Sequence, residues 1–440
     1  MVTIFRNAML VQFNPANVQL GELRVDGNTI TAVGESVDLT GARELIDCRG
    51  AVVMPGLVNG HTHLYSALAA GMPGPSSPPR DFHEILKYVW WRLDRAHDLE
   101  SVRTSGQVGG MAALRCGTTT LIDHHASPNA IDGSLDQLRA GLAETGCRGV
   151  LCYETTDRNG DGESVAGLAE NERFIHQCQA EAAGQFAGMV GAHASFTLSA
   201  AALEGCVDLA RRLGVGVHIH VAEDPVDQRL TEQQFGHGLM ERFRRAGLLD
   251  VAGTLLAHGT HLSSRDIAMV NERASTISMA HNPNSNMNNA VGYAPVADFA
   301  RSALLGTDGI GADMWREART ALFKSHDAHR SVGDARVLEL LDGSARFASQ
   351  CLGVTLGQLV EGAEADLVVT NYRPHTPLRS DNLTGHVVYA MGPEYVRDVM
   401  IAGHWCLRGG DIVSCDAISI ANQSREVASR LHEAMAGIRC

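Results

Sequence analysis

Lysine is nearly missing from this chain of 440 residues: only Lys87 and Lys324 occur, and every other basic residue is arginine. With 36 basic residues against 50 acidic ones, the formal net charge is −14 at pH 7. Such a surface repels phosphate backbones, so no nucleic-acid partner is expected. No apolar run approaches the roughly 20 residues of a membrane span, so no membrane partner is expected either. The start, Met1-Val2-Thr3-Ile4-Phe5-Arg6, lacks the basic region, apolar core and cleavage site of an export signal. No two of the ten cysteines stand at C-x-x-C spacing, which argues against a zinc ribbon or a thioredoxin-like pair. The cysteines, Cys440 included, read as mostly buried and reduced, as in a soluble cytoplasmic protein.

What is present is ordinary globular composition, 45% hydrophobic and 20% charged. An α/β barrel uses about 250 residues, so a second, smaller unit must account for the remainder. Residues 1–55 read as short strands at 4–13, 21–25, 29–33 and 51–54, the last ended by Pro55-Gly56. From residue 57 onward, apolar runs alternate with amphipathic stretches. The runs are 57–59, 118–123, 149–153, 186–191, 215–221, 254–257, 276–279 and 302–307. Helical stretches at 99–115, 135–146, 166–183, 200–213 and 226–246 lie between them. The alternation predicts an α/β fold, a (β/α)8 TIM barrel over 56–360. Strands return at 366–370, 385–390, 396–401 and 404–408. Segments 1–55 and 361–440 are therefore expected to form a small composite β-sandwich domain.

Chemistry-bearing residues gather at the ends of the predicted barrel strands. Asn59-Gly60-His61-Thr62-His63 ends the first. Residues two apart in a strand share a face, so His61 and His63 can both point inward as half of a metal site. His218-Ile219-His220-Val221-Ala222-Glu223 ends the fifth run. There His220 is a candidate third ligand, and Glu223 a candidate proton carrier just beyond the strand. His258 ends the sixth run and Asp308, between Thr307 and Gly309, ends the eighth. Each signal alone has a plain alternative in a turn or a helix cap. Together they fall on one rim of one barrel, where catalytic residues of this architecture concentrate. Three histidines and an aspartate suit a first-row metal with a position left for water.

The segment 55–63, then His220-x-x-Glu223, His258 and Asp308, resembles the amidohydrolase superfamily. The subgroup is that of guanine, cytosine and S-adenosylhomocysteine deaminases and triazine chlorohydrolases. Stretches 71–75, 123–129 and 281–287 are similar to a narrower group, the SsnA aminohydrolases, whose name brings the chemistry but no substrate. The resemblance implies one divalent metal ion, most simply zinc with iron or manganese as alternatives, on His61, His63, His220 and Asp308. His218 shares a strand face with His220, so the choice of ligand rests on the HxxE spacing. The resemblance also implies catalytic roles for Glu223, His258 and Asp308, and a substrate contact for His193. Many two-metal relatives bridge their metals with a carboxylated lysine on strand four, others with a glutamate. No lysine lies between Lys87 and Lys324, so the lysine bridge cannot be built.

The expected reaction is hydrolysis of a carbon–nitrogen bond in a small nitrogen heterocycle, purine- or pteridine-like, by a metal-activated water. Ring opening by a cyclic amidohydrolase and dechlorination use the same site and remain open, as does a non-catalytic scaffold. Trp90 and Trp91 can wall a flat ring, although packing in a helix core is the more common role for either one. One of His124 and His125 can face the pocket while the other faces away. Asn282, Asn284 and Asn286 can read ring edges or simply build a loop. A homo-oligomer, dimer or larger, is expected from the relatives.

Overall fold

The computed structural model describes residues 1–75 and 77–438, so Cys440 lies outside the described residues. Eight parallel strands form the centre: β1 (Leu57–Thr62), β2 (Thr118–His125), β3 (Arg148–Tyr153), β4 (Phe186–Gly188, resuming as Val190–Ala194), β5 (Val217–Val221), β6 (Thr254–His258), β7 (Ile277–His281) and β8 (Ala303–Leu305). One run of pairing joins β1 through the first half of β4, and another joins its second half through β8. Met189 hinges the two halves: its amide donates to Leu151, and the amide of Val190 donates to Gly216. The ring closes where Thr62 bridges Asp308 in parallel and the amides of Thr307 and Asp308 both donate to the His61 carbonyl, at 2.9 Å each. These bonds join the first barrel strand to the last.

Below the rim the barrel is filled by apolar side chains, among them Val58, Ile122, Val150, Leu255, Ala280 and Leu304. Phe347 and Leu352, from the helix Asp334–Leu352, join this cluster. The surrounding helices start and stop where local chemistry dictates. Asp98 caps Leu99–Arg115 in a reciprocal box with Ser101, and Ser199 caps Ala200–Leu213, which ends at left-handed Gly214. The stretch expected as one helix over 226–246 is two, Pro225–Phe235 and Leu239–Ala246, because Gly236 at φ 73° terminates the first.

Both chain ends meet in one nine-stranded sheet, with Leu367–Thr370 pairing antiparallel to Val52–Pro55. Amides of Ile30, Gly362 and Ala365 bond across the gap between the 26–30 hairpin and the 362–365 segment, so the sheet curls over its own core of Phe5, Leu23, Ile30, Leu367 and Met400. Alternate residues of the same strands, such as Met54, Val368 and Val399, enter the main core instead. The strand expected at 385–390 is the helix Leu383–Tyr389. Its buried Val387 and Val388 pack in the main core, and this tertiary packing overrides their β-propensity. Within the expected 361–440 portion of the small domain, the final helix Ala417–Gly437 packs on the barrel side, placing Val427, Leu431 and Met435 against Tyr65, Leu68 and Leu93. No helix among the described residues is long and apolar enough to cross a membrane.

Arg148, 2% exposed, fastens the barrel to the terminal sheet. Its guanidinium binds Asp366 through two nitrogens, at 2.9 and 3.0 Å, and also reaches Glu364 at 2.6 Å and the Gly184 carbonyl at 2.6 Å. Removing one member of a buried pair strands the other charge. Arg148→Ala is expected to destabilise the protein by about 3–5 kcal/mol in denaturant unfolding. A loss below about 1 kcal/mol would show that the carboxylates are hydrated without it.

Candidate metal centre and pocket

His61, His63, His220 and Asp308 converge, their ligand-type atoms all lying within 4.8 Å of one another. His63 Nε2 is 3.1 Å from His220 Nε2 and 3.0 Å from Asp308 Oδ1. The opposite nitrogen of each imidazole is occupied. His63 Nδ1 donates to the His124 carbonyl at 2.6 Å, and His220 Nδ1 to the His193 carbonyl at 2.9 Å. His61 Nδ1 meets His218 Nε2 at 2.8 Å. The carbonyl partners orient His63 and His220 with Nε2 toward one point, and His61 Nε2 joins them there. His218 therefore stands behind a ligand, on His61, and His220 is the strand-five residue in the cluster.

The donor set fits one divalent cation. His61 Nε2 is buried 3.3 Å from Asp308 Oδ1 without a well-aligned hydrogen bond, a polar atom in want of a partner. Burial pushes His61 down to about 3 and holds His220 well below the usual histidine range, so both are neutral, as ligands must be. Burial works against protonation of His63 too, but its bond to Asp308 and the charges of Asp308, Glu154 and Asp123 together outweigh this and push it up to about 9; a cation would replace that proton. Asp308 is buried, yet contacts with His61 and His63 keep its carboxyl well below the usual range.

Left-handed backbone re-aims the rim. Ala257 already belongs to the interior cluster, so in a regular strand His258 would face outward. At φ 75° it turns back in, with Nδ1 donating to Asn286 Oδ1 at 2.9 Å and Nε2 lying 3.6 Å from Glu223 Oε2. Ala222 at φ 45° similarly redirects the chain after β5, held by its amide donating to Asp227 Oδ2 at 2.9 Å. Asp308 has φ 54°. Non-glycine residues in this region cost about 1–3 kcal/mol each and persist where surroundings over-determine them. Burial pushes Glu223 up to about 7, with Asp308 adding to the rise and His258 opposing it.

One short segment after β7 holds three of these groups. Ser285 Oγ donates to Asp308 Oδ2. Asn286 accepts from His258, and Asn289 Nδ2 donates to Glu223 Oε1 and to Ser285 Oγ, at 3.3 Å each. The asparagines therefore work differently from the expected ring readers. Asn284 bonds Glu317 and Thr320, and Asn282 sits 3.5 Å from His258 Nδ1; neither they nor Asn286 line the cavity, whereas Asn289 does.

A cavity lies above the cluster. Trp90, Trp91 and His193 all line it. Tyr65, Phe82 and Phe196 complete an aromatic wall. The helical stretch 82–96 carries a π-turn at Leu86–Trp90, a feature that often marks functional sites. Of the strand-two pair, His124 faces inward with Nδ1 3.2 Å from Glu154 Oε2, while His125 turns away to Ser127. Sequence reasoning missed Glu154 and Asp94. Glu154 directly follows β3, at a strand end like the other site residues, so the same rule applied there finds it.

Residues 52–406 match the amidohydrolase family. A 5-methylthioadenosine/S-adenosylhomocysteine deaminase of Desulforudis audaxviator is 28% identical, with 98% of this chain and 99% of the relative covered. A 5'-deoxyadenosine deaminase of Methanocaldococcus jannaschii is 25% identical over 92% and 95%. The crystal structure of an adenosine deaminase from Xanthomonas campestris with bound zinc superposes with a TM-score of 0.83, at 24% identity, over 98% of each chain. The chain belongs to the amidohydrolase family.

If His218 positions His61, His218→Leu should fold but bind zinc about 10–100-fold more weakly in a chelator competition. Unchanged affinity would assign His218 to packing alone.

Proposed function

We propose that the protein is an aminohydrolase that removes an amino group, as ammonia, from a carbon of a purine-like heterocycle. The observation that carries this reading is Glu223, a carboxyl pushed up to about 7 by burial, placed beside the His61, His63, His220 and Asp308 cluster and facing His258. Relatives named as deaminases of adenosine derivatives support the ring class.

His61, His63, His220 and Asp308 would hold the cation, zinc by analogy with the zinc-bound neighbour. When bound, it would lower the pKa of a water from 15.7 toward about 7. Asp308 would hold the proton given up by the attacking water, and His258, held by Asn286, would stabilise the charge beside it. Oxygen adds to the electron-poor ring carbon while Glu223 protonates the adjacent ring nitrogen, so no full negative charge builds on the ring. Return of the water's first proton from Asp308 to the exocyclic amine would let it leave as ammonia, while the hydroxyl's remaining proton passes to Glu223, restoring its acid form as the ring regains conjugation as a carbonyl. Trp90, Trp91 and Phe196 wall the ring and exclude bulk water, and His193 contacts its edge. The cytoplasm is the compartment we assign, supported by nine described cysteines that are all free.

The test is ammonia release from aminopurines by zinc-loaded protein. Glu223→Gln should fold, retain its metal and lose about 10²–10⁴-fold in turnover. Full turnover in that variant would remove Glu223 from the chemistry.

A further inference from the structure

The described lining of the pocket offers no lysine or arginine to pair with an anion, although the Trp91 indole N–H there has no partner. Asp94, Glu154, Glu223, Asp224, Asp227 and Asp308 all border the pocket. Asp224 and Asp227 are spent on the backbone amides of Val226 and Ala222. Glu223 and Asp308 belong to the reacting cluster. Glu154 and Asp94 remain, 4% and 1% exposed, on the strand-three side. The guanidinium beside them, Arg158, is buried behind Trp91, 5.4 Å from its ring centroid, and is ion-paired to both carboxylates. Glu163 acts on the same guanidinium. One cation shared among three carboxylates leaves this wall negative.

Glu154 is close to the chemistry as well. Its carboxylate lies within 4.8 Å of ring nitrogens of His193 and His220. A ring seated at the cluster therefore has Glu223 toward His258 and Asp308, and Glu154 with Asp94 toward Trp91. Phe82, Leu86, Phe196 and Val226 on the same wall are apolar and offer an anion nothing in return.

We propose that the pocket selects heterocycles whose substituent is neutral or cationic and rejects anionic ones, with Glu154 and Asp94 as the specificity-determining residues. The inference rests on the aminohydrolase reading for where the ring sits. Two like charges about 6 Å apart, at an effective dielectric near 20, cost roughly a hundredfold in binding. Burial pushes Asp94 up to about 6 while Arg158 opposes the rise, so its charge is in place at neutral pH.

The experiment compares binding of 9-ethyladenine, 9-(2-aminoethyl)adenine and adenin-9-ylacetate to the zinc-loaded protein by calorimetry at pH 7.5, with ammonia release followed in parallel. The acetate should bind about a hundredfold more weakly than the ethyl compound, and the amine as tightly or better. Glu154→Gln and Asp94→Asn should each narrow the gap by about tenfold. Should either variant fail to fold, the wild-type comparison decides alone. Acetate binding within about threefold of the ethyl compound would overturn the proposal, as would failure of all three to bind. The predicted order of binding without ammonia release would support the charge selection and overturn the aminohydrolase reading instead.

Discussion

The seam between the first and last barrel strands is the constraint on which the rest depends. The carbonyl of His61 accepts the amides of Thr307 and Asp308, and these bonds turn two curved sheets into a closed ring. The same bonds bring the imidazoles of His61 and His63 against the carboxylate of Asp308, residues nearly 250 positions apart in the chain. Closure of the fold and assembly of the candidate metal centre are one event. A change that opened the seam would scatter the ligands as well as expose strand edges.

Around that seam the protein invests in holding groups still. Each imidazole of the cluster has its second nitrogen engaged, and the segment from Ser285 to Asn289 reaches Asp308, His258 and Glu223 in turn. Left-handed residues at three strand ends carry backbone strain that this network sustains. Pre-placed dipoles of this kind are what charge development in a hydrolytic transition state requires, because they need no reorganisation when the reaction occurs. Glu154, Arg158 and Asp94 form a second buried network on the opposite flank, adding a charge preference to a largely aromatic wall.

Much of this was legible in the sequence. Eight apolar runs with helical spacers define a barrel, and polar residues at the ends of runs one, five, six and eight fall on its functional rim. Other features depend on contacts that no pattern records. The inward turn of His258 comes from one φ angle, and periodicity alone would have sent the side chain outward. His218 and His220 share a strand face, and only distances separate the partner of His61 from the member of the cluster. The valines at 387 and 388 read as a strand until the helices packed on them are seen. Asparagines that read as turn formers or ring readers hold catalytic candidates, because hydrogen-bond partners are set by tertiary approach.

The most direct measurement is anomalous diffraction at the zinc edge from crystals of the zinc-loaded protein. The account predicts one cation per chain, about 2.0–2.2 Å from Nε2 of His61, His63 and His220 and from a carboxylate oxygen of Asp308, with Glu223 outside the coordination shell. A second cation bridged by Glu154, or a lone cation held elsewhere, would contradict it.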